Sequence, residues 1–332
     1  MTTQRSLLRS PLTSLIAAAL VSLTGACGDP AQQPVDESLV GGSTEALVRG
    51  ADGTWSWPGL TITRPVVNRF WGSAANDVWG VGNGSITVHW DGTTWRKFPN
   101  PGKTTLRAVW GTAANNVYAV GDDSTIMRWN GTAWSMMTGG AIPTAVDLND
   151  VYALSSTDVW VVGDDGVILR YNGTAWSGLT PPALNNLITV WGPSASTVWI
   201  GGDLGMLLRW NGTALSEVST GSTDATMRIR GTSSGKAWMI NSGNELTAWD
   251  GTKWSSTPVS YGHDLWVGSD TNIWTIASPY TNTYNGMTWT QKYAVSESLS
   301  IWMTGATDGW IGDRYGNLYR YVGGTNPWSR RW

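Results

Sequence analysis

A unit of about forty residues recurs along most of this chain of 332 residues. The shared pattern runs from Val-Trp-Gly through Val-Trp-x-Val-Gly and a short apolar run to Trp-Asn/Asp-Gly-Thr-x-Trp, with substitutions in individual copies. Four copies are clear, and three degenerate copies follow them. The aromatic position of the first predicted strand recurs every 36 to 42 residues, at Trp71, Trp110, Tyr152, Trp191, Arg230, Trp266 and Trp302. Self-similarity at this period limits the chain to a repeat architecture.

The unit contains four short runs of β-forming residues, separated by turns rich in Gly, Asn and Asp. No segment keeps a helical apolar period beyond two turns, which excludes a helical repeat. Four strands per unit predict an all-β, seven-bladed β-propeller with four-stranded antiparallel blades. Residues 45–58 resemble the last two strands of a unit, so we expect them to close the ring. For the same reason, a ring of eight blades stays open as an alternative.

Tryptophan supplies most of the aromatic residues, with 24 Trp against 2 Phe, and nearly every Trp falls on a repeat position. We interpret these indoles as packing between blades, because that packing must also recur once per unit. The alternative is a series of sugar-stacking platforms. The Asn-Gly and Asp-Gly pairs between the third and fourth strands predict tight hairpins. Hairpin chemistry also explains the three pairs that match a glycosylation sequon.

The N-terminal residues have the pattern of an export signal. Arg5 and Arg9 precede an apolar run at 12–23, which is too short to span a bilayer, and Cys27 follows small residues. The run 23–27 resembles the lipobox of bacterial lipoproteins, which implies cleavage before Cys27 and a diacylglycerol on its thiol. We therefore predict a signal peptide at 1–26, the lipidated Cys27 with a flexible tether at 27–50, and the propeller at 51–332. The expected location is the cell envelope, at the outer membrane.

Charge and composition narrow the function. The formal net charge is -3 and no basic run is present, which excludes nucleic acid as a partner. The only histidines are His89 and His263, and no set of residues has metal-ligand spacing. The sequence thus predicts no metal and no cofactor, and we expect a monomer that reaches the membrane only through its lipid.

The Trp-Asp-Gly-Thr-x-Trp hairpin resembles the Asp-box of BNR-repeat propellers, a family that includes sialidases. Asp91 and Trp95 are four steps apart rather than the five of the strict motif. The resemblance implies a propeller that serves in binding or assembly, with a sialidase-like glycoside hydrolase or lyase as the alternative. We assign no catalytic residue, because the candidate arginines occupy one repeat position on the third strand and are expected to be structural copies: Arg128, Arg170, Arg209 and Arg320.

The turns between second and third strands are the predicted ligand-binding rim. Propellers commonly bind ligands on the face that carries these turns, so the scaffold would present them to a protein or glycan partner. The alternative is that Asp and Gly are there because they favour turns. The candidate rim residues are Asp122, Asp123, Asp164, Asp165, Asp203, Tyr280, Asp313, Arg314 and Tyr315.

Overall fold

The computed structural model describes residues 48–49, 55–56, 66–260, 262–293, 295–321 and 327–331. The predicted signal peptide, Cys27 and nearly all of the tether lie outside the described residues. Strands Val48–Arg49 and Trp55–Ser56 pair with each other in a small antiparallel sheet, and residues 62–332 form a separate compact unit. Among the described residues, no helix is long and apolar enough to cross a membrane.

The larger unit consists of four-stranded antiparallel sheets, each built from one sequence repeat. We number these blades from the N-terminus and their strands in chain order. The strands of blades 1 to 4 are Val67–Ala74, Asp77–Gly82, Thr87–Trp90 and Trp95–Lys97; Leu106–Ala113, Asn116–Gly121, Ile126–Trp129 and Trp134–Met136; Leu148–Ser155, Asp158–Gly163, Ile168–Tyr171 and Trp176–Leu179; and Leu187–Ser194, Thr197–Gly202, Leu207–Trp210 and Leu215–Glu217.

Three further blades complete the ring. Their strands are Thr226–Gly231, Ala237–Asn241, Glu245–Trp249 and Trp254–Ser260; Asp264–Ser269, Asn272–Ala277, Tyr280–Tyr284 and Trp289–Tyr293; and Ser298–Met303, Gly309–Asp313, Leu318–Tyr321 and Trp328–Arg330. The protein is therefore a seven-bladed β-propeller, which decides between the predicted seven blades and the alternative of eight.

Apolar packing between neighbouring blades holds the ring together. In the described part of the chain, seven clusters of buried apolar side chains each straddle one pair of neighbouring blades, including blades 7 and 1. The indole of Trp79, on the second strand of blade 1, packs against Trp129 at 4.8 Å and Trp134 at 5.1 Å in blade 2. Trp199 packs in the same way on blade 5. The predicted inter-blade role holds for these indoles.

The first-strand aromatic residues take a different position from the one predicted. The first strands are innermost and contact one another around the axis. Trp302 of blade 7 accordingly lies near Trp110 of blade 2, two blades away, with ring centroids 5.8 Å apart. Gly111 follows Trp110 because a Cβ there would lie 2.6 Å from the ring of Trp71 in the preceding blade. The Val-Trp-Gly motif thus packs the centre of the ring.

The ring closes through direct contacts between blades 7 and 1, which corrects the predicted role of residues 45–58. Blade 7 takes all four of its strands from Ser298–Arg330, and blade 1 takes its strands from Val67–Lys97. At their junction the indole of Trp310 lies 4.8 Å from that of Trp90, and the Ser300 hydroxyl donates a hydrogen bond to the Val67 carbonyl. The described strand residues of segment 45–58 pair only within that segment.

Candidate functional site

The antiparallel blades give the ring two unlike faces. The turns between second and third strands lie at the same end as the connections from one blade to the next. We call this the mouth face. The turns between first and second strands and between third and fourth strands lie at the opposite end. All nine predicted rim residues lie on or beside the turns of the mouth face.

β-bulges place one residue per blade around the mouth. Among the described first strands, six begin with a register shift that leaves the second residue unpaired. Such a bulge redirects the side chain that it carries. Because the first strands surround the axis, these residues encircle the mouth. They are polar in blades 1 to 3 and apolar in blades 4, 5 and 7: Asn68, Arg107, Asn149, Ile188, Met227 and Leu299.

Charged and polar side chains form a network over blades 2 and 3. The Arg107 guanidinium donates to Asp122 Oδ1 at 2.6 Å, to Asn149 Oδ1 at 3.0 Å and to Asp147. Asn149 in turn donates to Asp164 Oδ1 at 2.7 Å. Partial burial opposes the charge of Arg107, but the hydrogen bond that it donates to Asp122 and the nearby carboxylates raise its pKa. Three carboxylates around one guanidinium make this half of the mouth acidic.

The remaining acidic rim residues of blades 2 to 4 lie in the turns between second and third strands. Asp123 and Asp165 are exposed and take left-handed backbone angles, with φ of 54° at both. Asp203 is half-buried, and its N–H donates to the Asn186 carbonyl at 2.9 Å. Asp and Asn tolerate left-handed angles better than most residues, so turn chemistry accounts for Asp123 and Asp165.

The rim residues of blades 6 and 7 do not extend the acidic surface. Asp313 is buried, and its carboxylate accepts hydrogen bonds from the backbone of Tyr315 and from Asn317. The exposed Arg314 pairs with Glu297 at 2.9 Å. Tyr280 and Tyr315 have 40% and 62% of their surface exposed and lie in different blades. Of the candidate rim residues, the acidic ones that reach the surface therefore lie on blades 2 to 4.

A groove lined by two leucines and several polar residues occupies the mouth face between blades 3, 4 and 5. Its volume is 550 Å³, and its wall includes Leu184, Leu204, Asn185 and Asp224. Leu184 and Leu204 are 74% and 76% exposed. Leu204 takes a φ of 57° at the turn position that Asp123 and Asp165 occupy in the two preceding blades. A leucine in this conformation costs roughly 1–2 kcal/mol, and the sequence pattern gave no reason to expect one there.

The third-strand arginines are structural copies, as the sequence predicts. Arg170 donates two hydrogen bonds to Asp158 and lies over the indoles of Trp160 and Trp210, at 4.9 and 5.9 Å. Arg209 and Arg320 lie between indoles of neighbouring blades in the same way. These guanidinium groups are spread around the ring between blades. They do not converge on a substrate, so they give no support to a sialidase-like site.

A second cavity lies on the axis, where the first strands meet. Its volume is 340 Å³, and it is lined by aromatic residues of the first strands together with Arg69, Arg228, Arg230 and Asp264. Our sequence reasoning missed it. The available signal was the position two residues before the first-strand aromatic position, which keeps no consensus and is charged in four of the seven units: Arg69, Ala108, Asp150, Thr189, Arg228, Asp264 and Ser300.

Comparisons with known proteins agree on the fold. YCF48 bound to D1 peptide is similar over 79% of this chain and 94% of its own, with a TM-score of 0.62 and 19% identity. YCF48 from Cyanidioschyzon merolae covers 79% of this chain and 97% of its own, with a TM-score of 0.61 and 15% identity. The WD40 β-propeller domain of Doa1 covers 79% and 93%, with a TM-score of 0.65 and 12% identity.

These likenesses establish the class of protein, a seven-bladed β-propeller, and the identities are too low to establish more. No protein-family model matches the chain, and no curated protein matches it in sequence. The similarity to Asp-box propellers and to lipoproteins is therefore carried by the sequence motifs alone. In the described ranges, no group of three His, Cys, Asp or Glu side chains is placed to hold a metal ion.

Proposed function

We propose that this chain is an exported, lipid-anchored propeller that binds a protein partner through its mouth face. A propeller is a rigid scaffold that serves binding in many settings, and one of the similar structures, YCF48, was solved with a bound peptide. The anchor is supported by the lipobox-like run that ends at Cys27. The glycan partner is the competing outcome of the tests below.

Leu204 is the residue that favours a protein partner over a glycan. Leu204 exposes 76% of its surface in a left-handed conformation that favours Gly, Asn or Asp, and the equivalent turns of blades 2 and 3 use Asp. The side chain therefore gains nothing from folding that an Asp would not provide. Exposed leucines beside a groove are typical of surfaces that bury apolar area in a complex.

Negative charge over blades 2 and 3 is the second feature of the proposed partner surface. Asp122 and Asp147 accept hydrogen bonds from Arg107, and Asp164 joins the same network through Asn149, so three carboxylates against one guanidinium favour a partner with a basic segment there. Charge complementarity of this kind orients a partner and raises the association rate, whereas the exposed Leu184 and Leu204 supply apolar contact area. The surface thus fits a protein segment with apolar side chains next to basic ones.

Leu204→Asp tests the partner surface without disturbing the fold. The variant restores the residue used in blades 2 and 3, so stability is expected to hold or rise. Binding is expected to weaken by about tenfold or more, since burial of a leucine contributes about 1.5–3 kcal/mol. A photo-crosslinking residue at position 184 in cells would identify the partner, and calorimetry with that purified partner would measure the loss.

Met287→Thr is the matched control. Met287 is 90% exposed on the opposite face, and the equivalent hairpin position holds Thr in blades 1 to 5. This control should leave partner binding unchanged. Equal binding by Leu204→Asp and the unaltered chain would contradict the proposal, and so would a crosslink at position 184 that forms only to glycan.

A further inference from the structure

The axial cavity holds more positive than negative charge. Three guanidinium groups, those of Arg69, Arg228 and Arg230, line it, and the carboxylates that pair with them are Asp150 and Asp264. Three cations against two anions leave one positive charge on the axis. The cation without a carboxylate partner among the described residues is the half-buried Arg69, and an anion bound in the cavity would compensate its charge.

Arg228 is the most deeply placed of these groups. Its residue surface is 1% exposed, and its Nε donates to Asp264 Oδ1 at 2.8 Å. Its Nη1 lies 3.4 Å from Asp150 Oδ2, a weak contact. Its Nη2 is buried and has no hydrogen-bond partner among the described residues. An unmet buried donor costs about 1–3 kcal/mol, and more when it is charged.

The carboxylates cannot meet this need, because other donors already occupy them. Asp150 Oδ2 accepts from the Thr189 hydroxyl at 3.1 Å and from the Val190 N–H at 3.1 Å. Asp264 Oδ2 accepts from the Ile301 N–H at 3.0 Å. Both carboxylates are therefore fixed by neighbouring blades, and neither is free to turn toward the open guanidinium nitrogen.

Two more arginines complete the cationic side of the cavity. Arg69 uses one nitrogen on the Asn68 carbonyl at 2.8 Å, while its Nε is buried without a partner in the part of the chain that the structure describes. Arg230 replaces the aromatic residue found at this position in the six other blades, and it lies 5.2 Å from the Trp110 ring centroid. Both residues depart from the repeat.

The rest of the wall is aromatic. Indole rings of Trp110, Trp191, Trp266 and Trp302 and the phenol ring of Tyr152 line the same cavity. The volume of 340 Å³ falls in the range of roughly 300–1,000 Å³ found for small-molecule sites. Aromatic faces beside a guanidinium group suit a flat apolar body that carries a carboxylate.

We infer that the axial cavity is a binding site for a small organic monocarboxylate with an aromatic or apolar body. The carboxylate lies against the guanidinium side of the cavity, which Arg69, Arg228 and Arg230 form, and its charge balances the excess on the axis. The body of the ligand packs against the first-strand indoles. This site is separate from the groove at Leu204, so it neither needs nor supports the proposed protein partner.

Calorimetry and tryptophan fluorescence with benzoate, and with neutral benzamide of the same shape, test the site. Benzoate should bind and change the indole emission, whereas benzamide should bind at least tenfold more weakly. Arg69→Gln should weaken benzoate binding by about tenfold, the loss of one charge-assisted hydrogen bond. Asp264→Asn should tighten it severalfold, because one negative charge is removed from the cavity wall; the single amide oxygen can accept from the Ile301 N–H or from the Arg228 Nε–H, but not from both.

The opposite signs of the two variants separate binding from folding. Asp264→Asn loses part of a buried ion pair, so a purely structural role would weaken binding or leave it unchanged. Arg170→Gln, in a guanidinium site outside the cavity, is the matched control and should bind benzoate as the unaltered chain does. Equal affinity for benzoate and benzamide, or no response to either cavity variant, would overturn the assignment.

Discussion

At the scale of single residues, an indole and a cation form the recurring contact between blades. A second-strand tryptophan packs on the third-strand and fourth-strand aromatic residues of the next blade, and a third-strand arginine lies over both rings. Blade 1 uses His89 in the arginine position, 2.6 Å from Asp77 and 4.4 Å from the ring of Trp79. The same contact is therefore made with either an arginine or a histidine side chain.

Trp199→Ala measures what one of these contacts is worth. The indole is 1% exposed and packs on Trp249 and Trp254 at 4.9 and 5.4 Å. Truncating a buried Trp costs about 3–5 kcal/mol, so the free energy of unfolding from urea denaturation should fall by that amount. Met287→Ala, on an exposed side chain, should change it by under about 0.5 kcal/mol. A loss below about 1 kcal/mol for Trp199→Ala would show that the indoles are not the main inter-blade contact.

At the scale of elements, the hairpin between third and fourth strands differs in detail from the tight turn that the sequence predicts. Trp90 pairs with Trp95, so the loop has four residues, and only the glycine takes a positive φ, 95° at Gly92. The Asp91 side chain accepts hydrogen bonds from the backbone of Thr93 and Thr94. The acidic or amide side chain thus caps the loop, a role that periodicity alone does not reveal.

Asp250 makes the hairpin of blade 5 sensitive to acid. Hydrogen bonds from the Thr252 hydroxyl and from the Lys253 and Thr252 N–H groups lower its pKa from 3.8 to about 2. A depressed pKa adds stability that is present above pH 3.8 and is lost as the pH falls toward 2. Asp250→Asn should reduce this acid loss, since Asn285 caps the blade 6 loop with an uncharged amide. Urea midpoints at pH 6 and pH 2.5 measure it, and equal acid loss in both proteins would contradict the assignment.

At the scale of the whole molecule, the repeat made the fold predictable, but it did not predict the cavity on the axis. Blade number and strand order follow from local sequence, because each blade comes from one contiguous unit. The axial cavity depends on residues such as Asp150 and Arg228, which are 78 positions apart and meet only when the ring closes. The groove at Leu204 was missed because the turn pattern favoured an acid there.

The proposed attachment to the membrane concerns the whole chain. If Cys27 carries the proposed diacylglycerol, Cys27→Ser should move the protein from the membrane fraction to the soluble fraction and abolish labelling by radioactive palmitate. The propeller itself lies far along the chain from Cys27, so its circular dichroism should not change. Cys27→Ala is a second substitution with the same expected result. Membrane association that survives both changes would contradict the lipid anchor.

The junction between blades 7 and 1 has a consequence for how such a chain can lengthen over evolutionary time. In some propellers the first and last segments of the chain build one blade together, and those two segments must still pair correctly after a unit is gained. Here every unit carries its own four strands, and the last meets the first through Trp310 and Trp90 as any neighbours do. In-frame duplication of one unit in the gene would therefore add a complete blade without leaving any strand unpaired.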